Sequence, residues 1–280
     1  MSTTVTITAA EINKLRQATG AGMMDCRKAL TETNGDFEAA IDWLRKQGQK
    51  VAAKRSDREA KEGVVIAQTN DSNSTGIAVC ISCETDFVSK NADFVAFAQT
   101  IADAAIANDV KSADELNNVE VNGAKIADLV NDKLASIGEK IGISKFERVD
   151  APFVSSYIHG AYRIGVLVGM NVEDAEKGKD IAMQIAAMNP LAVDASSISE
   201  ETIERERAIV MDLMKNDPKM AGKPDEMIAK IAEGKLNVFF KENTLLAQPF
   251  VKDGGKTVES YLAEGGKGVK VTEFKRVALG

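Results

Sequence analysis

The sequence feature that most constrains the fold is an almost wholly apolar run, Ile77–Cys83, which follows Gly76. A continuous run of this kind predicts a strand that is buried on both faces. The chain then becomes polar and offers Phe87 before an amphipathic helix, for which Asp93 is the expected N-cap. The inward face of that helix is predicted to carry Phe94, Phe97, Ala98, Ile101, Ala102 and Ala105.

Phe87 lies where this strand turns into the helix, and its position has two interpretations. Because most Phe side chains are buried, Phe87 is expected on general grounds to fold back over the core. A strand-to-helix turn on a rigid scaffold is, however, also a place that presents a side chain to a partner. The sequence of this segment alone does not decide between the two.

A second copy of the strand-and-helix unit favours the exposed position. Each copy reads as a hairpin followed by a helix, over 64–69, 77–83 and 93–107 in the first and 154–159, 164–170 and 179–189 in the second. The turn after the second apolar strand, Asn171–Asp174, contains no aromatic residue. If an aromatic side chain were needed only to close the fold, both copies would carry one. The asymmetry therefore favours an exposed, working Phe87.

The amino-terminal residues 1–47 predict a separate three-helix module. Thr8 and Glu11 have the spacing of a capping box, and Asp36 is the expected cap of the third helix. Met23 and Met24 are adjacent in the second helix, so their side chains point about 100° apart and cannot both be fully buried in so small a module.

The whole chain predicts an α+β fold in which a core of two similar hairpin-plus-helix subdomains follows the module. Residues 48–62 are highly charged without an apolar stripe, which favours a linker. A helical hairpin with thin apolar stripes is predicted to be inserted into the second subdomain. The expected boundaries are 63–150 for the first subdomain, 151–198 with 243–280 for the second, and 199–242 for the hairpin.

Composition and charge exclude several classes of function. The net charge of −7 argues against bulk binding of nucleic acid. The longest apolar run, Ile164–Met170, is too short to cross a bilayer, and the first eleven residues lack the pattern of a secretory signal, so a cytoplasmic location is expected. No catalytic constellation and no phosphate-binding loop is found, so neither an enzyme nor a bound cofactor is expected.

The cysteines and the single histidine do not predict a metal or redox site. Cys80 and Cys83 are three residues apart in a predicted strand, which places their sulfur atoms on opposite faces. With Cys26 they are expected to be buried, reduced side chains. His159 is the only histidine, and without clustered ligands a structural or interface hydrogen bond is the favoured role.

Several motifs resemble the bacterial elongation factor Ts family, the nucleotide exchange factors of elongation factor Tu. The segment Cys83–Val88 resembles the T-D-F-V signature of that family, and Thr19–Leu30 is similar to its ubiquitin-associated-like amino-terminal domain. G-K-P-x-E at 222–226 and Q-P-F-V at 248–251 are further similarities. The chain departs from the family in an extra segment, 216–221, and in stopping soon after its last strand.

The resemblance implies a guanine nucleotide exchange factor of translation elongation whose partner is the GTPase elongation factor Tu. It implies that Thr85, Asp86, Phe87 and Val88 form an exchange wedge, in which Phe87 disturbs the partner's Mg²⁺ site. The other implied partner-binding residues are Arg16, Met23, Met24, Ile137, Gly138 and His159. It implies no cofactor, no direct contact with nucleic acid and no membrane.

An interaction adaptor is the alternative function. In that case the three-helix module binds other partners and the core forms a homodimer. A third class, a thiol enzyme that uses Cys80 and Cys83, is disfavoured by the predicted placement of the two sulfur atoms. Accelerated release of GDP from elongation factor Tu would separate the first two classes.

Overall fold

The computed structural model describes residues 6–55, 57–218 and 223–280, and it describes the side chains in these ranges except those of 52–54 and 225. The amino-terminal module contains α1 (Ala9–Thr19), α2 (Met23–Glu32) and α3 (Phe37–Arg55). The predicted caps are confirmed: Thr8 and Glu11 form the capping box, and the Ala39 N–H donates to Asp36 Oδ1 at 2.9 Å. A small apolar cluster fills the module and consists of Ile12, Leu15, Ala21, Cys26, Ala29, Leu30 and Ala40.

The third helix is longer than predicted, and this corrects the expected linker. α3 continues to Arg55, through the first half of the segment 48–62, and packs against α7 (Ile126–Ile137). Gly48 permits this close approach, because a Cβ atom on it would lie 2.8 Å from the Cβ atom of Ala135. Val51, three residues later, packs at the edge of the first core cluster. Because a glycine does not contribute to an apolar stripe, the hydrophobic pattern of the sequence did not reveal the contact between α3 and α7. Ser56 lies outside the described residues.

The first subdomain is built on a three-stranded antiparallel sheet in the order β1-β2-β5. β1 (Glu62–Thr69), β2 (Thr75–Cys83) and β5 (Gly142–Asp150) place the predicted apolar run in the centre, and every residue from Gly76 to Cys83 is buried. The sequence between β2 and β5 forms α4 (Asp86–Ser89), α5 (Ala92–Ala107), α6 (Ala113–Asn118), β3 (Glu120–Val121), β4 (Ala124–Lys125) and α7.

The second sheet repeats this arrangement with the order β10-β7-β6. It contains β6 (Phe153–His159), β7 (Ile164–Met170) and β10 (Val271–Ala278), with α8 (Ala175–Met188) against one face. The inserted hairpin consists of α9 (Glu200–Asn216) and α10 (Asp225–Asn243), and the extra segment predicted at its tip falls partly on 219–221, outside the described residues. Between hairpin and β10 lie β8 (Pro249–Phe250), β9 (Asp253–Thr257) and α11 (Val258–Ala263).

The two sheets pack face to face, and helices cover their outer faces. Side chains between the sheets come from both of them and include Val65, Ala78, Cys80, Val149, Val154, Leu167 and Val277. Glycines allow the close contact, since a Cβ atom on Gly165 would lie 2.7 Å from Val65 Cγ1. The outer clusters join the first sheet to α5 and α7 and the second sheet to α8 and α11. The α+β class predicted from the sequence is confirmed.

Two helix starts differ from the prediction. α5 begins at Ala92, and its N-cap is Asn91 instead of the predicted Asp93. The Asn91 Oδ1 atom accepts the backbone N–H of Asp93, in the first turn, at 2.8 Å. α8 begins at Ala175, four residues before the expected start. Its first turn contains Lys177, which is buried and donates to the carbonyl oxygen of Leu262 at 2.8 Å. Because a lysine is read as a surface residue in a hydrophobic pattern, the sequence did not reveal that this turn belongs to the buried helix.

The placement of the cysteines on opposite faces is confirmed. Cys80 lies in the layer between the sheets, whereas Cys83 lies in the cluster beneath α5. Both thiols are free, and burial raises the pKa of Cys80 and raises the pKa of Cys83 to about 12. Both are therefore protonated near neutral pH, which removes the thiolate that redox chemistry would need.

Candidate functional site

Phe87 is the most exposed large apolar side chain among the described residues, at 85% of its surface. It lies on α4, a single helical turn between β2 and α5, rather than in an irregular turn. The neighbouring Val88 packs against the first core cluster and so attaches α4 to the core. Asp86 pairs with Lys90 Nζ at 2.6 Å on the outer side. The side chain of Phe87 therefore projects into solvent and does not close the core.

The start of α4 is fixed by a carboxylate from a distant part of the chain. Glu139 Oε2 accepts the backbone N–H groups of Glu84 at 3.1 Å and Thr85 at 3.0 Å, and Glu139 Oε1 accepts the Thr85 hydroxyl at 2.6 Å. Thr85 is the N-cap of α4 but makes no side-chain cap bond within the helix. Donor groups at the first turn of a helix need such a partner. Glu139 thus accepts the N–H of the N-cap residue Thr85 and that of the residue before it, which fixes the start of α4 to the loop after α7.

Glu84 makes the reciprocal contacts. Its Oε1 accepts the backbone N–H of Lys140 at 2.6 Å and Arg55 Nη1 at 2.8 Å, and its Oε2 accepts Arg58 Nη1 at 3.0 Å. The Lys140 N–H, followed by the two guanidinium groups, holds the pKa of the Glu84 carboxyl at about 2. Glu84 and Glu139 therefore join the end of β2 to the loop after α7 in both directions; we call these two residues, with Arg55 and Arg58, the clasp.

Ile137 and Gly138 directly precede Glu139 in the sequence and therefore lie near α4. α7 ends at Ile137, and Gly138 adopts a left-handed conformation with φ of 78° as its C-cap. Glycine is favoured at this position because other residues are strained there. Ile137 is partly exposed. The structure thus brings Thr85–Val88 close to Ile137 and Gly138, because Glu84 and Glu139, which are 55 residues apart in the sequence, are hydrogen-bonded.

Arg16, Met23 and Met24 are exposed on the amino-terminal module. Met23 exposes 48% and Met24 74% of its surface, while Cys26, Ala29 and Leu30 of the same helix are buried. The expectation that the two Met residues are not both buried is confirmed. Gly22 precedes them as the N-cap of α2. The module therefore presents flexible apolar side chains of the kind that adapt to a partner surface.

His159 lies on the other subdomain, at the end of β6. Its Nδ1 atom is 3.0 Å from the hydroxyl oxygen of Tyr157, and the ring is exposed. The following turn is strained, because Ala161 and Tyr162 adopt positive φ values of 52° and 68°. The carbonyl oxygen of Tyr162 accepts the Val65 N–H at 2.8 Å, which holds this turn against the first sheet.

The ranges that the structure describes contain neither a candidate metal site nor a candidate membrane span. No three His, Cys, Asp or Glu side chains in these ranges are grouped so as to hold a metal ion. No described helix combines the length and the apolar character that a bilayer span requires.

Comparison with known proteins gives a family for the whole chain. The family model described as "Elongation factor TS" matches residues 84–280. Proteins named "Elongation factor Ts" from Christiangramia forsetii and Flavobacterium psychrophilum are 47% and 45% identical to the chain, each over 98% of the chain and 99% of the relative. One from Xanthobacter autotrophicus is 46% identical over 98% of the chain and 92% of its own length. The chain belongs to the elongation factor Ts family.

The sequence analysis did not identify the clasp residues. In the sequence Glu84 belongs to the Cys83–Val88 motif, and Arg55 and Arg58 fall within the segment that predicts a linker. Their signal in the sequence is weak, because surface charges are common and the partners are 29 and 26 residues away from Glu84. A charged residue directly after a buried strand is the one local feature that could have drawn attention to Glu84.

The depressed pKa of Glu84 predicts a specific acid dependence of stability. In the unfolded chain the pKa of a Glu side chain is about 4.3. The contribution of Glu84 to stability is therefore fully present above that pH and is lost as the pH falls through the folded-state pKa of about 2. Glu84→Gln should therefore lower the free energy of unfolding at neutral pH, and the difference from wild type should shrink on acidification over that range.

Urea unfolding of the two proteins at a series of pH values measures this difference. Glu204→Gln is the matched control, because Glu204 pairs with Arg207 at 2.6 Å on an exposed face of α9 and such pairs contribute little. A Glu84→Gln difference that stays constant with pH would contradict the assignment.

Proposed function

We propose that the chain is a guanine nucleotide exchange factor that acts on elongation factor Tu in translation elongation. Membership of the elongation factor Ts family implies this activity. The observation that carries the finer proposal is Phe87, which is 85% exposed on a short helix that Glu139 and Val88 fix to the core. The proposed role involves no covalent chemistry, because the factor changes only the rate at which its partner releases a nucleotide.

The physical basis of the proposed activity is negative linkage. If binding of the factor weakens the hold of the partner on GDP, then GDP must weaken the hold of the partner on the factor by the same ratio. The factor must therefore make contacts that fit the partner only when the nucleotide site is disturbed. A rigidly held aromatic side chain is suited to such a contact, because it transmits a displacement instead of yielding to it.

The proposed target of Phe87 is the Mg²⁺ site of the GTPase. Mg²⁺ bridges the phosphates and requires nearly ideal octahedral geometry. A wedge that shifts a helix of the partner by about 1 Å can spoil that geometry without touching the nucleotide. In this proposal Phe87 is the wedge and Asp86 lies beside it, while Thr85 and Val88 hold the short helix.

The remaining candidate residues are proposed to aim the wedge. Arg16, Met23 and Met24 would grip the GTPase domain, Ile137 and Gly138 would contact the partner next to Phe87, and His159 would hold a different domain of the partner. This division is supported by their positions, since they lie on the amino-terminal module, the first subdomain and the second subdomain. Binding at separate places restricts the direction from which Phe87 approaches.

Chelation of Mg²⁺ tests the mechanism. Removal of Mg²⁺ from elongation factor Tu should by itself accelerate GDP release, and the factor should then add a smaller acceleration than it adds when Mg²⁺ is abundant. Phe87→Ala should lose mainly the part that depends on Mg²⁺. Stopped-flow release of a fluorescent GDP, with and without a chelator, measures each case.

Two outcomes would redirect the proposal. An equal acceleration under all metal conditions would place the action of Phe87 elsewhere on the partner. Binding without any acceleration of GDP release would favour the interaction adaptor.

A further inference from the structure

We infer that the clasp residues Arg55, Arg58, Glu84 and Glu139 are positioning residues that hold Phe87 in a fixed orientation relative to the amino-terminal module. The inference rests on the proposed exchange function and adds to it a route by which the grip of the module and the aim of the wedge are coupled. It concerns contacts within this chain and not contacts with the partner.

The short helix that carries Phe87 cannot fix its own orientation. α4 has four residues, and helices of this length are not stable in isolation. Of the two apolar side chains in the wedge motif, Phe87 is exposed and Val88 packs against the first core cluster, which gives the motif one point of attachment. The three hydrogen bonds from Glu84 and Thr85 to Glu139 supply the second point. Two separated points of attachment define a direction for the side chain between them.

The clasp connects this attachment to the last turn of α3. Arg55 lies at the end of α3 and bonds to Glu84 at 2.8 Å, with the arginine side chain 24% and the glutamate side chain 15% exposed. Arg58, at 55% exposure, adds a weaker bond because its charge is screened by solvent. Lys140 Nζ donates to the carbonyl oxygen of Arg58 at 2.9 Å and closes the connection between the two segments.

Two helices, α3 and α7, connect the clasp to the surface of the module. α3 is continuous from Phe37, in the module, to Arg55. α7 packs along α3 at Gly48 and Ala135 and leads directly to Glu139. A displacement of α3 by a bound partner therefore reaches the base of α4 through Arg55 and through Glu139. This coupling makes the orientation of Phe87 dependent on the position of the module.

The test compares variants of the full-length chain in GDP release from elongation factor Tu. Arg55→Gln with Arg58→Gln, and separately Glu139→Ala, should lower the maximal release rate on the order of tenfold, because a misplaced contact loses most of its effect. The concentration of factor at half-maximal rate should change much less, since Met23, Met24 and His159 are untouched. Glu139→Gln keeps an acceptor oxygen for the N–H groups and should recover most of the loss. Arg207→Gln, at another Arg–Glu pair, is the matched control.

Two further measurements separate a positioning role from a general structural one. In a Phe87→Ala background the clasp variants should cause no additional loss of rate, because the side chain that they position is absent. Amide hydrogen exchange should become faster at residues 84–90 in Glu139→Ala, by a larger factor than in the central strand β2.

Each contrary result identifies what has failed. An equal loss with and without Phe87, or unchanged exchange at residues 84–90, would overturn the inference. If the wild-type chain does not accelerate GDP release at all, the proposed function fails. The amide hydrogen exchange of residues 84–90 then still decides whether the clasp holds α4.

Discussion

Phe87→Ala is expected to lower the rate of GDP release at saturating factor by at least about thirtyfold, while the protein stays folded. Truncation of a central aromatic anchor of an interface costs about 2 kcal/mol or more, and each 1.36 kcal/mol corresponds to a factor of ten in rate. The fold should tolerate the change, because the side chain is mostly exposed and lies outside the core clusters. Stopped-flow GDP release and urea unfolding measure the two effects on the same sample.

Phe94→Ala is the matched control for this prediction. Phe94 lies seven residues later, on α5, and its side chain is fully buried beneath the first sheet. Removal of a buried Phe side chain costs about 3–5 kcal/mol of stability, so the two variants should show opposite patterns of damage. A large loss of stability in Phe87→Ala, with exchange activity preserved, would return Phe87 to a structural role.

Met23→Ala combined with Met24→Ala should weaken binding to elongation factor Tu by about tenfold or more, because exposed apolar side chains at an interface lose their buried contacts. The stability of the chain should change little, since neither side chain contributes to the cluster that fills the module. The reason is the exposure of the two residues and not their isolation by a linker, because α3 joins the module to the core as one helix. Isothermal titration gives the affinity.

Met227→Ala controls for the general effect of removing an exposed methionine. Met227 is 51% exposed on α10 of the helical hairpin, which the proposed interface does not include. Its substitution should leave the affinity unchanged. If the double variant at Met23 and Met24 also binds with unchanged affinity, the module does not take part in the interface.

Local signals in the sequence were sufficient for the elements that carry the site. The apolar run that became β2 and the capping box at Thr8 depend on interactions within a few residues. The opposite placement of Cys80 and Cys83 follows from the alternation of side chains along one strand. The difference between the turns after β2 and β7 also pointed correctly to an exposed Phe87.

The sequence by itself therefore determined the fold class, the central strands and the side chain that the core leaves uncovered, because hydrophobic periodicity and capping are short-range properties. Only the tertiary structure decided what holds that side chain in place. Glu84 meets Glu139 and Arg55 because β2, α7 and α3 end at the same place, and no pattern along the chain records where distant elements end in space. The length of α3 was decided in the same way, because the helix packs against α7 at Gly48, and a glycine leaves no mark in an apolar stripe.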